Sequence, residues 1–139
     1  MIAYLDSSVL LRVALGEPGR LAEWETIEDG VTSALAEVEC LRTLDRLRLR
    51  GALSDPELAI GRRAVWQMLE ALELVQLAPP VLRRAADPFP TPLGTLDALH
   101  LATALAWREE RGTVLVLATH DAELGVAAAA CGLDVIGVT

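Results

Sequence analysis

Short apolar runs alternate along this chain with longer stretches in which apolar residues recur every three or four positions. The first run, Ile2-Ala3-Tyr4-Leu5, is too short for a helix and reads as a buried strand. Residues 7–15 read as a short helix, stopped by Gly16-Glu17-Pro18-Gly19. A second short helix is expected over about 20–28, and a brief strand or turn over 30–32. A long helix then covers about 34–50 and stops at Gly51. The next begins at Ser54 or Asp55 and runs to about Ala71, with Pro56 where a missing N–H does no harm. Residues 73–77 read as a strand, and Pro79 and Pro80 open a short helix through Ala85. Pro88, Pro90 and Pro92 keep the following loop out of helical form. Thr95 is expected to cap a helix that ends near Arg111 and Gly112. A strand over 114–118, a helix over 122–130 and a strand over 135–138 complete the pattern.

Strands separated by helices imply a parallel sheet covered by helices on both faces. The 139 residues are enough for one domain with a real core, and no repeat or linker divides them. No apolar run approaches the length of a membrane span. The opening has no basic segment before its apolar run and does not read as a secretory signal. The expectation is a soluble cytoplasmic protein. Cys40 and Cys131 lack metal-ligand spacing and read as buried reduced thiols.

Four acids stand where ordinary packing gains little from them. Asp6 closes the first apolar run, and Asp97 opens the very apolar segment Asp97-Ala98-Leu99-His100-Leu101. Asp121 follows the strand at 114–118, and Glu39 lies one turn into the long helix. In a parallel sheet, strand C-ends and helix N-ends share one edge, so these acids would converge there. Converging carboxylates repel unless a cation neutralises them, which points to a hard divalent metal. Each acid also has a plain structural account. Asp6 could cap the first helix, although Ser7 could do so equally well and leave Asp6 free. Asp97 could serve the helix dipole, and Asp121 could cap the helix that starts at Ala122. Glu37 and Glu39 point roughly 200° apart, so only one can face a given site, and the pattern alone leaves both open. Glu39 could instead pair with Arg42 on the helix surface. His100, on the same face as Asp97, reads as a hydrogen-bonded structural histidine rather than a ligand, because hard cations prefer oxygen.

The formal net charge is −8, the wrong sign overall for a nucleic-acid binder. Distribution matters more than the sum. Every basic residue is Arg, and Arg42, Arg46, Arg48 and Arg50 cluster on one segment, with pairs at Arg62-Arg63 and Arg83-Arg84. Arginine suits bidentate phosphate contacts, although solvated helix faces explain these groups equally well.

Order and context join the four acids. The segment Tyr4-Leu5-Asp6-Ser7-Ser8-Val9-Leu10-Leu11-Arg12 resembles the opening of PIN-domain nucleases, above all the VapC-type toxins. The run from Thr32 to Arg42 resembles their second block, in which a Ser precedes the metal-binding Glu by six residues; that spacing selects Glu39 over Glu37. Leu96-Asp97-Ala98-Leu99-His100-Leu101-Ala102-Thr103-Ala104 is similar to the third block, and Leu117-Ala118-Thr119-His120-Asp121 to the fourth. The resemblance covers essentially the whole chain. It implies a PIN-like three-layer α/β/α sandwich around a mostly parallel sheet of four or five strands, as a single domain over 1–139.

The resemblance further implies metal-dependent endoribonuclease activity. Asp6, Asp97 and Asp121 would hold one or two Mg²⁺ or Mn²⁺ ions, with Glu39 binding directly or through water. Thr119 would orient a water or a ligand. From the Arg groups themselves rather than the resemblance, Arg42, Arg46 and Arg12 are expected to meet RNA phosphates or acids of a partner. VapC-type toxins pair with a small antitoxin and commonly form homodimers; the apolar faces at 41–49 and 66–72 could supply such an interface, and core packing explains them equally well. Three rival readings stand beside this one. A phosphoacceptor receiver domain needs a Lys near its acids, and the sequence has none. A phosphatase with Asp6 as nucleophile usually carries a second Asp two residues later, where this chain has Ser8. A catalytically silent PIN-like interaction module would not need all four acids.

Overall fold

Period-two alternation divides the core into two layers. In β1 (Ile2–Leu5) Ala3 and Leu5 face one side of the sheet while Tyr4 faces the other. Leu117 and Ala118 split in the same way in β4 (Val116–Ala118). A strand buried on both faces has no polar side to show, which is why these runs are almost wholly apolar. The computed structural model describes residues 1–138; Thr139, within the expected domain, lies outside them.

The remaining strands are β2 (Asp29–Ser33), β3 (Glu73–Val75) and β5 (Asp134–Ile136). All five pair in parallel, in the order β3-β2-β1-β4-β5. The expected mostly parallel sheet is thus wholly parallel among the described residues. Helices α1 (Ser7–Ala14), α2 (Ala34–Leu49) and α3 (Asp55–Ala71) cover one face through Val9, Leu10, Ala36, Cys40, Leu44, Val65 and Leu69. On the other face, α5 (Thr95–Arg111) and α6 (Ala122–Ala130) bury Leu101, Leu105, Trp107, Leu124 and Ala127, and α4 (Pro79–Ala86) packs on α5. This is the expected three-layer α/β/α sandwich.

Several local expectations are corrected. No helix spans 20–28; a single 3-10 turn, Trp24–Thr26, stands there. The apolar residues Leu21, Trp24 and Ile27 belong to the core, so they supplied a helical spacing without a helix. The region at 30–32 is a full strand. Thr95 does not cap α5: it is the first helical residue, Gly94 holds the cap position, and no side chain caps that end. Ser54 does cap α3, in a reciprocal capping box with Glu57 that satisfies two backbone N–H groups at the helix start. Strands β3, β4 and β5 are all shorter than expected: the central β4 begins at Val116 rather than 114, β3 ends at Val75 and β5 at Ile136.

Candidate active site

The chain leaves β1 toward β2 on one side, then crosses to β4 on the other. That reversal opens a crevice at the C-terminal ends of β1 and β4, the place where ligands enter open α/β sheets. Asp6 stands at its floor, 4% exposed. It is the N-cap of α1, accepting from the Val9 N–H at 3.2 Å, so the alternative in which Ser7 capped and left Asp6 free is corrected. Both of its carboxylate oxygens are held. Ser8 Oγ donates to Oδ1 at 2.6 Å, and Thr119 Oγ1 donates to Oδ2. The register of β1 with β4 places Leu5 beside Ala118, which sets Asp6 and Thr119 side by side.

Thr119 is wholly buried, and its hydroxyl also accepts from the Asp121 N–H at 2.9 Å. Asp121 caps α6 by accepting from the Leu124 N–H at 3.0 Å. Ser8 Oγ accepts from the His120 N–H at 3.0 Å and so ties α1 to the same loop. Behind this loop lies Gly137, at φ 97°, a region that favours glycine. A Cβ there would collide with the Thr119 carbonyl, and the Gly137 carbonyl accepts from His120 Nδ1 at 2.9 Å.

The other two acids come from the helices over opposite faces. Ser33 caps α2 by accepting from the Leu35 N–H at 3.0 Å, and that start fixes which face of α2 carries Glu39. Glu39 makes no ion pair with Arg42; its Oε1 bonds His100 Nε2 of α5 at 2.5 Å. Asp97, one turn before His100, sits in the first turn of α5. Its carboxyl is pushed up to about 6, first by burial and then by the charges of Asp121, Asp6 and Glu39, against a smaller opposing effect of His100. The four acids therefore share one field. Burial, Asp6 and Glu39 also hold the Tyr4 hydroxyl well above its ordinary value, and burial, Glu39 and Asp6 push the Cys40 thiol up to about 12.

This field fits a divalent cation in charge and donor chemistry, since every candidate ligand is a hard oxygen. The side chains do not form a finished coordination shell. Among the described residues, no three His, Cys, Asp or Glu side chains make a group that could hold a metal ion as they stand.

The arginines lie outside this arrangement. Arg12 Nη1 donates to the Gly19 carbonyl at 3.1 Å and braces its own loop. Arg46 Nη2 donates to Thr43 Oγ1 at 2.9 Å, and Arg42 lies exposed near Asp45. Sequence reasoning missed Ser8 and Tyr4 as parts of the site. Ser8 was legible as a second hydroxyl beside Asp6; Tyr4 was masked because a strand tyrosine looks like core. A separate cleft of about 700 Å³, lined by Phe89, Thr91, Leu93 and Ala98 among others, adjoins α5, and none of the four acids lines it.

The PIN domain family matches residues 3–129. Ribonuclease VapC46 of Mycobacterium tuberculosis is 37% identical over 138 residues, covering 96% of this chain and 95% of that protein. Ribonuclease VapC47 of the same species is 31% identical over 128 residues, covering 87% and 85%. Among solved structures, VapBC2 from Rickettsia felis bound to a promoter DNA fragment superposes with a TM-score of 0.67 at 13% identity, covering 97% of each chain. That likeness supports the fold alone, whereas the sequence matches go further: they run through all four acid-bearing segments, and the chain belongs to the PIN-domain family in its VapC-type branch.

Proposed function

We propose that this chain is a divalent-metal-dependent endoribonuclease, the toxin of a VapBC-type toxin–antitoxin pair, with residues 1–139 acting as one domain. The observation that carries the reading is the network at the C-ends of β1 and β4 in which Thr119 bonds both Asp6 and the Asp121 backbone; the Asp97 carboxyl, raised by burial and by the charges of Asp121, Asp6 and Glu39, lies in the same field. Such a field is costly alone and becomes favourable when a cation enters. Asp6, Asp97 and Asp121 would hold Mg²⁺ or Mn²⁺, and Glu39 would bind directly or through water. When bound, the ion neutralises charge growing on the phosphoryl and departing oxygens and makes an attacking water easier to ionise. The chain's own residues prepare for this. Thr119 and Ser8 hold both oxygens of Asp6, so that carboxylate keeps its aim before any ion arrives. Asp97 and Asp121 approach from two helix N-termini, which favour negative charge.

RNA is the proposed substrate, in keeping with the ribonuclease names of the Mycobacterium relatives. Arg12, Arg42 and Arg46 are proposed to contact its phosphates, and neutralising them should flatten the salt dependence of RNA binding. A small antitoxin and a second copy of the chain are the proposed protein partners, in the cytoplasm. Among the described residues no helix is long and apolar enough to cross a membrane. The test is incubation of total RNA with the protein, with and without Mn²⁺, followed by mapping of the cut ends. Cleavage should require both the ion and Asp97. RNA cut equally well by Asp97→Ala would refute the reading.

A further inference from the structure

A largely buried polar chain runs from the sheet to the crevice. Tyr4 is wholly buried in β1, and its hydroxyl stands 2.7 Å from His100 Nδ1. His100 is 1% exposed, and its other ring nitrogen stands 2.5 Å from Glu39 Oε1. The two rings meet edge to face at 5.8 Å and 71°, which fixes the tilt of the imidazole.

A carboxylate only accepts, so His100 Nε2 carries the hydrogen given to Glu39. The Tyr4 hydroxyl, 2.7 Å from Nδ1, anchors the other side of the ring. Thr32 donates to the Leu5 carbonyl and Thr103 to the Leu99 carbonyl, so neither hydroxyl gives its hydrogen to Tyr4.

Glu39 needs such support. A glutamate on a helix has three rotatable bonds, and holding it in one rotamer costs up to about 2 kcal/mol of entropy. Its side chain is 18% exposed, with Oε1 tied to His100 and Oε2 without a protein partner among the described residues. We infer that His100, anchored by Tyr4, is a positioning residue that presents Glu39 to the metal site. This rests on the reading of Glu39 as a metal-site carboxylate. It explains why a histidine occupies a core position in an otherwise apolar stretch of α5, three residues after Asp97, where leucine would pack as well. One helix thereby carries an acid of the crevice and the group that aims another.

The experiment is Mn²⁺ titration of the purified full chain by calorimetry, beside RNA cleavage measured as a function of Mn²⁺ concentration. His100→Leu fills the space without a donor. His100→Gln places an amide N–H near the former Nε2. Tyr4→Phe keeps the ring and removes only the anchor. His100→Leu should weaken Mn²⁺ binding about tenfold or more, His100→Gln should recover it to within about threefold, and Tyr4→Phe should weaken it about threefold. The Mn²⁺ concentration for half-maximal cleavage should move in step, while KM for RNA stays unchanged. Wild-type affinity in His100→Leu overturns the inference, as does an equal loss in His100→Leu and His100→Gln. If His100→Leu does not fold, wild-type affinity in Tyr4→Phe overturns it. A wild-type chain that takes up no Mn²⁺ overturns the metal reading itself, and the role of His100 falls with it.

Discussion

Asp97→Asn should make the metal-free protein more stable at neutral pH. In the folded chain the Asp97 carboxyl sits at about 6 rather than 3.8, through burial first and the charges of Asp121, Asp6 and Glu39 after it. The folded state therefore binds this proton more tightly than the unfolded chain does, and Asp97's contribution falls as pH rises from about 4 through about 6. The full difference corresponds to a ceiling of ~3 kcal/mol. Asp97 is partly exposed, and solvent screening reduces that to roughly 1 kcal/mol. Asparagine keeps the size and removes the charge. In EDTA at pH 7.5 the variant should melt roughly 3–5 °C above wild type, and at pH 4 the two should coincide. Saturating Mn²⁺ should reverse the order, because under the proposed ligand set the variant lacks one of the carboxylates that would hold the ion. Thermal unfolding followed by circular dichroism decides the matter. A variant that melts no higher at pH 7.5, or that gains the same amount at both pH values, refutes the shared field.

Thr119→Val removes the donor to Asp6 Oδ2 and the acceptor for the Asp121 N–H while keeping the shape; cleavage should fall about 10–100-fold, with about 1–3 kcal/mol lost in urea unfolding. Gly137→Ala places a Cβ against the Thr119 carbonyl at a positive φ, and denaturant melts should show at least about 1–3 kcal/mol of destabilisation. Cys40, buried and with its thiol pushed up to about 12, should resist iodoacetamide in the native protein at pH 8, whereas the partly exposed Cys131 should react; mass spectrometry of the labelled peptides reads this directly.

The sheet was legible because its strands are apolar runs bounded by turn residues, and α2, α3, α5 and α6 because their spacing and breakers agree. Residues 20–28 misled because loop residues that plug a core can mimic a helical repeat. The acids were legible one by one as strand-end or early-helix positions, but the choice between Glu37 and Glu39 needed the family's spacing. What joins them was not legible. The bond from Thr119 to Asp6 spans 113 residues and depends on the register of β1 with β4, which no local pattern encodes. Likewise the bond from Glu39 to His100 spans 61 residues and joins helices on opposite faces.

The strand order has a consequence for synthesis. Asp6 and Glu39 leave the ribosome early, but the neighbour that closes the crevice beside β1 is β4, which is made only after α5. A half-translated chain therefore carries two of the acids and no pocket to use them in. The arrangement that the four acids share exists only once the last third of the chain has emerged.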